Sequence, residues 1–294
     1  MSMPTVSIVI RTLNEAEHLP TLLDSIEEQS LQPDEVVLVD SGSTDKTVMV
    51  AESRGLKVVH IPPGDFTFGR SLNWGCEAAK GDLLVFVSAH VYALSNSWLA
   101  NLTAPFVDEH VGLSYGGQTG DHRSNFAEIQ LLKRWFPEEG TNDQQNPFCN
   151  NANCAVRRDL WQSIPFDEAL PGLEDMAFAR DIREQGHRIA YVPEAKIAHV
   201  HEEGWKQTLN RYRREAMAYQ TIFGSQKMGL AQSAGLAAES IVKDTKAAVS
   251  EGRPAAIPSA AAFRLAQYLG AWMGHRADPG ETRQIVRRMY YPRG

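Results

Sequence analysis

The sequence predicts an α/β fold with a mostly parallel, Rossmann-like sheet, helices on both faces of that sheet, and a helical C-terminal extension. Short runs of β-branched residues alternate with amphipathic helical patterns through the first 90 residues, an alternation typical of parallel sheets. Beyond Gly204 the chain is mostly helical and contains Ala-rich stretches. We therefore predict an α/β domain over residues 1–205 and a helical extension over 206–294.

The individual elements follow from the spacing of apolar residues. Early strands are predicted at residues 7–10, 35–40, 55–60 and 82–87, separated by helices at 14–29, 47–54 and 71–80. Later elements are a helix at 126–135, a Gly-, Asn- and Pro-rich loop at 137–147, a helix at 174–185 and short strands at 189–192 and 197–201. The loop could serve as a mobile lid.

Polar residues follow three of the predicted strands at their carboxyl ends, where parallel sheets bind ligands. They are Arg11–Asn14, Asp40–Ser43 and Ser88–His90. The Asp40 carboxylate could accept hydrogen bonds from a nucleobase or ribose, and the Gly/Ser turn after it would let a ligand approach the backbone. Taken alone, the turn also fits a helix N-cap. The sequence contains neither a GxGxxG nor a GxxxxGK[ST] pattern, which weakens dinucleotide and P-loop interpretations.

Composition narrows the class of protein. The chain is 43% hydrophobic and 22% charged, as in ordinary globular proteins. Three cysteines without CxxC spacing argue against a disulfide framework or a thiolate zinc site and favour a reducing, cytoplasmic setting. The start lacks the segments of a secretory signal, and no apolar run approaches the roughly 20 residues of a membrane-spanning helix. We therefore expect that the protein does not cross a membrane by itself.

Charge is distributed unevenly. Residues 1–202 carry a net charge of −14 and residues 203–294 a net charge of +7. The basic segment could bind a phosphate-rich substrate, anionic lipid at the inner face of a membrane, or a second subunit, or it could pack on its own acidic domain. Peripheral membrane contact and homodimerisation through the C-terminal helices both stay open, and nucleic acid is not an expected partner.

Residues 7–47 resemble the opening of family 2 glycosyltransferases. The likeness rests on a strand, a loop ending in Asn14-Glu15 and the turn Val39-Asp40-Ser41-Gly42-Ser43-Thr44-Asp45, and Phe68–Gly75 with Ala78–Asp82 extend it. This resemblance implies a GT-A fold and a nucleoside diphosphate-sugar donor. It places Arg70 beside the donor diphosphate as an ion-pairing group. Further donor contacts would come from Thr12, Asn14, Glu15, Asp40 and Ser41.

Val87-Ser88-Ala89-His90 stands where GT-A enzymes usually carry an Asp-x-Asp motif. It is similar to the Asp-x-His of polypeptide N-acetylgalactosaminyltransferases and to the Thr-Gln-Asp of bacterial rhamnosyltransferases. The resemblance implies that His90 binds a divalent cation and that Ser88 and Ala89 lie beside the donor. Mn²⁺ suits a mixed nitrogen and oxygen site better than Mg²⁺ does. Because Ser88 replaces the first Asp, a site in which His90 binds the diphosphate without metal is the alternative.

Two further motifs complete the predicted site. Alternate residues of a strand face the same side, so His199 and His201 could both point toward the cation; the family resemblance favours His199, with His201 as the alternative. Glu174-Asp175 opens a predicted helix, where family 2 enzymes place the base that deprotonates the acceptor. We predict Asp175 as that base and Glu174 as its catalytic neighbour. A simple helix cap is the alternative interpretation.

Two more segments, Tyr115–Gln118 and Asn150–Trp161, are similar to bacterial rhamnosyltransferases, so that the resemblance spans about residues 5–215. An Asn in the segment Asn151–Asn153 could contact sugar hydroxyls, and a simple Asx-turn is the alternative interpretation. The expected enzyme is a hexosyltransferase that moves a sugar to a hydroxyl of a glycan, lipid-linked or small-molecule acceptor, with inversion of configuration. A retaining transferase, a sugar-nucleotide pyrophosphorylase and a non-catalytic sugar-nucleotide-binding protein are the alternatives.

Overall fold

The computed structural model describes residues 4–224 and 227–277. Within these ranges the chain forms eight strands and ten α-helices. The strands are β1 (Val6–Thr12), β2 (Glu35–Asp40), β3 (Lys57–His60), β4 (Leu83–Ser88), β5 (Val91–Ala93), β6 (Val111–Thr119), β7 (Asn153–Arg157) and β8 (Arg188–His199). The helices are α1 (Leu19–Glu27), α2 (Thr47–Ser53), α3 (Phe68–Ala78), α4 (Trp98–Thr103), α5 (Phe126–Trp135), α6 (Arg158–Ser163), α7 (Glu174–Glu184), α8 (Trp205–Phe223), α9 (Leu230–Ser250) and α10 (Ile257–Gly274).

The eight strands form one sheet in the order β3-β2-β1-β4-β7-β6-β8-β5. β3, β2, β1 and β4 are parallel, which is the Rossmann-like half predicted from the alternating pattern. β7 runs antiparallel to both β4 and β6, whereas β8 is parallel to β6 and antiparallel to β5. The carboxyl ends of β1, β2 and β4 therefore meet at one edge of the sheet.

The prediction of the later strands was partly wrong. The two short strands expected at 189–192 and 197–201 are one strand, β8, which passes through Pro193. The pairing of β8 with β6 shifts register between Gly116 and Gln118, and such an irregularity tolerates a residue that lacks an N–H donor. β5 and β7 were not predicted. By contrast, the boundaries of β2 and α5 are confirmed, and residues 137–147 contain no helix or strand.

The chain divides into two compact units. The first consists of Met1–Thr119, Trp135–Ala169 and Glu174–Val200, and the second of Gly120–Arg134, Leu170–Leu173 and His201–Gly294. The first unit contains the sheet, whose strands β1, β2 and β4 are almost wholly buried. The simple division after residue 205 stays a prediction.

Tight helix packing characterises the second unit. Gly270 and Gly274 of α10 face backbone carbonyls of α8, at Leu209 and Arg213, where a side-chain carbon would overlap the carbonyl oxygen. Arg264 of α10 is fully buried, and its guanidinium pairs with Asp244 of α9 at 2.6 Å. No helix in the described ranges combines the length and apolarity needed to cross a bilayer.

Candidate active site

The loops after β1 and β2 are fastened to each other. Asn14 has a left-handed backbone with φ of 57°, and its side-chain oxygen accepts the Thr44 N–H at 2.8 Å. In return, the Asn14 N–H donates to the Ser43 hydroxyl at 2.8 Å, and the Glu15 N–H donates to the Thr47 hydroxyl at 2.8 Å. In each of these bonds a backbone N–H group after one strand donates to a side chain that follows the other strand. The predicted donor residues Asn14 and Glu15 therefore lie beside the Asp40 turn.

Asp40 lies buried at the end of β2. Its carboxylate accepts the N–H groups of Gly42 and Ser43, both at 3.1 Å, and lies 3.5 Å from Nδ1 of His60. Ser41 is also buried, and its N–H donates to the Thr12 carbonyl at 3.1 Å. The buried hydroxyl of Thr12 has no hydrogen-bond partner among the described residues. The edge of the sheet thus presents a fixed carboxylate beside an unused hydroxyl.

His90 lies two residues beyond Ser88, the last residue of β4, and follows the buried Ala89. Its Nδ1 lies 2.8 Å from a carboxylate oxygen of Glu15, and its carbonyl accepts the Val200 N–H at 3.1 Å. The second bond ties the His90 backbone to the end of β8. Glu15, predicted as a donor-binding residue, therefore contacts a predicted metal ligand.

His199 is the last residue of β8 and is buried. Its Nδ1 lies 2.9 Å from the side-chain oxygen of Gln118 in β6. The rings of His199 and His90 stack with centroids 5.1 Å apart and planes 18° from parallel. The ends of β4 and β8 thus bring two of the three predicted metal ligands together.

His201 lies two residues beyond the end of β8. Its Nδ1 is 2.9 Å from an oxygen of the buried Glu128 carboxylate, which also pairs with Arg211 at 2.8 Å. A ring nitrogen of His90 lies within 4.8 Å of one of His199. Imidazole is a common ligand of divalent transition-metal ions, so this pair could hold one. Of the two alternatives that the sequence left open, His199 stacks on His90, and the metal role of His201 stays a prediction.

Asp175 and Glu174 begin α7, and both are buried. The Asp175 carboxylate accepts the N–H of Asn151 at 3.1 Å and that of Met176 at 2.8 Å. Glu174 pairs with Arg11 of β1 at 2.9 Å. Burial, reinforced by the negative charge of Glu174, raises the pKa of Asp175 to about 7, although the two N–H donors and Arg11 oppose the shift. Asp175 can therefore exchange a proton near neutral pH.

Arg70 lies in the first turn of α3, which the Thr67 hydroxyl caps. Its guanidinium donates to Glu168 at 2.7 Å and to the Asp65 carbonyl at 2.7 Å. About a third of the side chain is exposed. The structure thus shows Arg70 paired with Glu168, and its role at a donor diphosphate stays a prediction.

Some residues of the site were not assigned a role from the sequence. Arg11 and Gln118 were noticed only as parts of longer motifs, although both stand near the carboxyl ends of strands, and that position is the signal that would have found them. The asparagines of the segment Asn150–Asn153 also differ in their hydrogen bonding. Asn153 is buried and bonded on all sides, to Trp98 and to the Gly117 and Ala195 carbonyls. Asn151, in contrast, has a buried side-chain N–H group without a partner in the described ranges.

The sequence and fold both have known relatives. The chain is 25% identical over 221 residues to the O-antigen chain rhamnosyltransferase RfbN of Salmonella typhimurium, covering 70% of each protein. It is 37% identical over 114 residues to a PGL/p-HBAD biosynthesis glycosyltransferase of Mycobacterium bovis, covering 37% of this chain and 44% of that protein.

Among solved structures, a mannosyltransferase of Pyrobaculum calidifontis in complex with GDP-Man and Mn²⁺ superimposes with a TM-score of 0.63 at 19% identity, covering 100% of this chain and 89% of that one. Glucosyl-3-phosphoglycerate synthase of Mycobacterium tuberculosis, in complex with Mn²⁺, UDP and phosphoglyceric acid, gives 0.57 at 22% identity, covering 77% and 82%. These likenesses confirm the GT-A fold.

The sequence model of glycosyl transferase family 2 matches residues 7–164, which is more than half of the chain. The match includes β1, the Asp40 turn, α3, His90 and the Asn150–Asn153 segment. It also sets aside the pyrophosphorylase alternative. The chain belongs to glycosyl transferase family 2 and is a glycosyltransferase.

Proposed function

We propose that the enzyme transfers a sugar from a nucleoside diphosphate-sugar to a hydroxyl of its acceptor, with inversion at the anomeric carbon and with Asp175 as the general base. The observation that carries this proposal is the buried carboxyl of Asp175, whose pKa is about 7. A general base works best when its pKa lies near the working pH, because it must be ionised before the reaction and able to hold the proton afterwards.

The surroundings of Asp175 suit this role. Two backbone N–H groups fix the carboxylate, so the base does not depend on a mobile side chain for its orientation. Arg11 engages Glu174 and leaves Asp175 as the carboxylate that can accept a proton from a substrate. In a direct displacement, Asp175 would remove the acceptor proton as the acceptor oxygen attacks the anomeric carbon.

We assign the cation site to His90 and His199, whose rings stack at the ends of β4 and β8. A bound divalent cation would neutralise the negative charge that develops on the departing nucleoside diphosphate. The structures of the mannosyltransferase with GDP-Man and Mn²⁺ and of the synthase with Mn²⁺ and UDP support a cation here, since both share the fold. Imidazole ligands favour Mn²⁺ over Mg²⁺, because Mg²⁺ prefers oxygen ligands.

The donor nucleoside would lie at the ends of β1 and β2. Asp40 and the unused Thr12 hydroxyl offer an acceptor and a donor of hydrogen bonds there, and the Ser41 N–H holds the turn to the Thr12 carbonyl. Arg70 is the candidate ion pair for the diphosphate and would have to exchange Glu168 for it. Among the expected acceptor classes we favour a glycan or a lipid-linked glycan, since a relative is an O-antigen chain rhamnosyltransferase.

The test is a screen of nucleotide sugars, followed by NMR of the product. Donors that bind will raise the melting temperature, and they will do so more in the presence of Mn²⁺ than after chelation. The proton coupling at the new anomeric centre should report a configuration opposite to that of the donor. Retained configuration would overturn the direct displacement and favour the retaining alternative, and full transfer after chelation would overturn the metal assignment.

A further inference from the structure

His90, His199 and His201 share one pattern of hydrogen bonding. Each ring directs Nδ1 at a side-chain oxygen: His90 at Glu15, His199 at Gln118 and His201 at Glu128, over distances of 2.8–2.9 Å. Metal-binding histidines commonly show this arrangement, in which a carboxylate or carbonyl oxygen holds the ring from the side opposite the metal. The same contact at each ring suits a histidine whose other ring nitrogen binds a metal.

The partner oxygens determine where the ring protons lie. An ionised carboxylate and an amide oxygen only accept hydrogen bonds, so Nδ1 must be the atom that carries the hydrogen. In a neutral imidazole the other nitrogen, Nε2, then carries the lone pair that binds a metal. Glu15 and Gln118 would thus prepare both rings of the stacked pair in the same tautomer.

The two partners differ in their access to water. Gln118 is 3% exposed and its ring, His199, is 7% exposed, so water cannot replace the amide oxygen if it is removed. The Glu15 side chain is 18% exposed and that of His90 is 26% exposed, so water can compensate in part. Removing the Gln118 oxygen should therefore disturb the site more than removing the Glu15 carboxylate.

The chemistry of the ligands also bears on the choice of metal. The motif before His90 supplies Ser88 in place of a carboxylate, and the Glu15 and Glu128 carboxylates are engaged with Nδ1 atoms. The donors that remain are imidazole nitrogens. For such sites divalent affinity rises from Mn²⁺ through Co²⁺, and Zn²⁺ also exceeds Mn²⁺, whereas Mg²⁺ binds poorly.

We propose that Glu15 and Gln118 are positioning residues that fix His90 and His199 in the metal-binding tautomer, and that the resulting nitrogen-rich site binds Co²⁺ and Zn²⁺ more tightly than Mn²⁺ and Mg²⁺. This inference rests on the metal role assigned under the proposed function. It adds the residues behind the ligands and an order of metal preference.

The experiment is a Co²⁺ titration of the metal-free full-length protein, without nucleotide, followed by visible absorption and calorimetry. Glu15→Leu and Gln118→Leu should weaken Co²⁺ binding by about 10- to 100-fold, the range for partners that orient a ligand, with the larger loss in Gln118→Leu. Glu15→Gln and Gln118→Glu should bind Co²⁺ with close to wild-type affinity, because each keeps a side-chain oxygen that accepts from Nδ1. At saturation all variants should show the wild-type absorption bands, because the ligands themselves are unchanged.

Matched controls separate this effect from misfolding. Glu138→Gln removes an exposed carboxylate that pairs with Lys196 at 2.9 Å and should leave Co²⁺ affinity unchanged. Melting temperatures should show that each variant is folded at the temperature of titration. Competition with Zn²⁺, Mn²⁺ and Mg²⁺ then gives the order of preference.

The outcomes distinguish the two levels of the proposal. Failure of the wild-type protein to bind Co²⁺ would overturn the metal site itself. Binding with equal affinity in wild type, Glu15→Leu and Gln118→Leu would overturn only the positioning role. Altered absorption bands in Glu15→Leu would make Glu15 a direct ligand instead, and displacement of Co²⁺ by equimolar Mg²⁺ would overturn the nitrogen-rich preference.

Discussion

Asp40 and Asp175 are both buried aspartates whose carboxylates accept two backbone N–H groups, yet their neighbours differ. Asp40 stands near the imidazole of His60 and closes its own turn through Gly42 and Ser43. Asp175 stands beside a second carboxylate, Glu174, and its stabilising amide comes partly from Asn151, which is distant in sequence. The comparison shows that similar hydrogen bonding can fix a carboxylate in two different electrostatic settings.

The difference lies in the charge nearby. Asp40 faces the imidazole of His60, and its carboxylate oxygens can accept hydrogen bonds from a ligand hydroxyl or N–H group. A buried carboxylate beside another carboxylate binds a proton more readily, because ionisation of both is unfavourable. Asp40 therefore suits donor binding, and Asp175 suits proton transfer.

The largest expected effect separates the two aspartates by kinetics. Asp175→Asn should lower kcat by about 10²- to 10⁴-fold with little change in the KM for the donor, because a general base acts only in the chemical step. Asp40→Asn should chiefly raise the KM for the donor. Steady-state kinetics with the donor found by screening will measure both.

Asp181→Asn is the matched control for Asp175→Asn, since Asp181 lies in the same helix and its carboxylate pairs on the surface with Arg180 at 2.7 Å. It should keep wild-type kcat. If Asp175→Asn changed KM and kcat to the same extent as Asp40→Asn, the division of roles between the two carboxylates would be wrong.

The next effect concerns the charge that distinguishes Asp175. Glu174→Gln removes the adjacent negative charge while leaving an oxygen that accepts from Arg11, so the pKa of Asp175 should fall. Because the ionised base is the active form, the rise of kcat/KM with pH should move to lower pH. Glu184→Gln, at the exposed end of the same helix, should leave the pH profile unchanged. An unshifted profile in Glu174→Gln would show that Glu174 does not set the proton affinity of the base.

A third effect is on stability. The pKa of Asp175 in the folded protein is about 7, above the roughly 3.9 of an unfolded aspartate, so its contribution is fully present below about pH 4 and is lost as pH rises through 7. Asparagine cannot ionise. The unfolding free energies of Asp175→Asn and wild type should be measured with urea from pH 4 to 8. The value for Asp175→Asn minus the value for wild type should increase as pH rises. Parallel curves would contradict the raised pKa.

The parallel half of the sheet could be predicted from the sequence because each strand is a local apolar run followed by its own helix. β2 illustrates this, since its predicted and observed bounds coincide. The sequence did not predict β7, and it predicted β8 as two separate strands, for a different reason in each case. β7 pairs antiparallel with two strands that are distant in the chain, and β8 contains a proline that a local interpretation treats as a break.

The same distinction holds in the site. His90 and Asp175 could be predicted as site residues because each belongs to a short motif at the end of a strand or the start of a helix. The hydrogen-bond partners of the histidine rings could not be predicted, since Glu15 and His90 are 75 residues apart and Gln118 and His199 are 81 apart. Such pairs form only when the sheet assembles, and the sequence of either segment alone does not indicate its partner.

The smallest expected effect probes the loop that holds the Asp40 turn in place. Asn14 combines a left-handed backbone with a side-chain bond to the Thr44 N–H. Asn14→Gly and Asn14→Ala both lose that bond, but only alanine also carries the penalty of a left-handed backbone, about 1–2 kcal/mol. Asn14→Ala should therefore be less stable than Asn14→Gly by about 1 kcal/mol in urea unfolding. Equal stabilities would mean that the backbone of residue 14 relaxes, and the donor KM should then rise equally in both variants because the turn is no longer held.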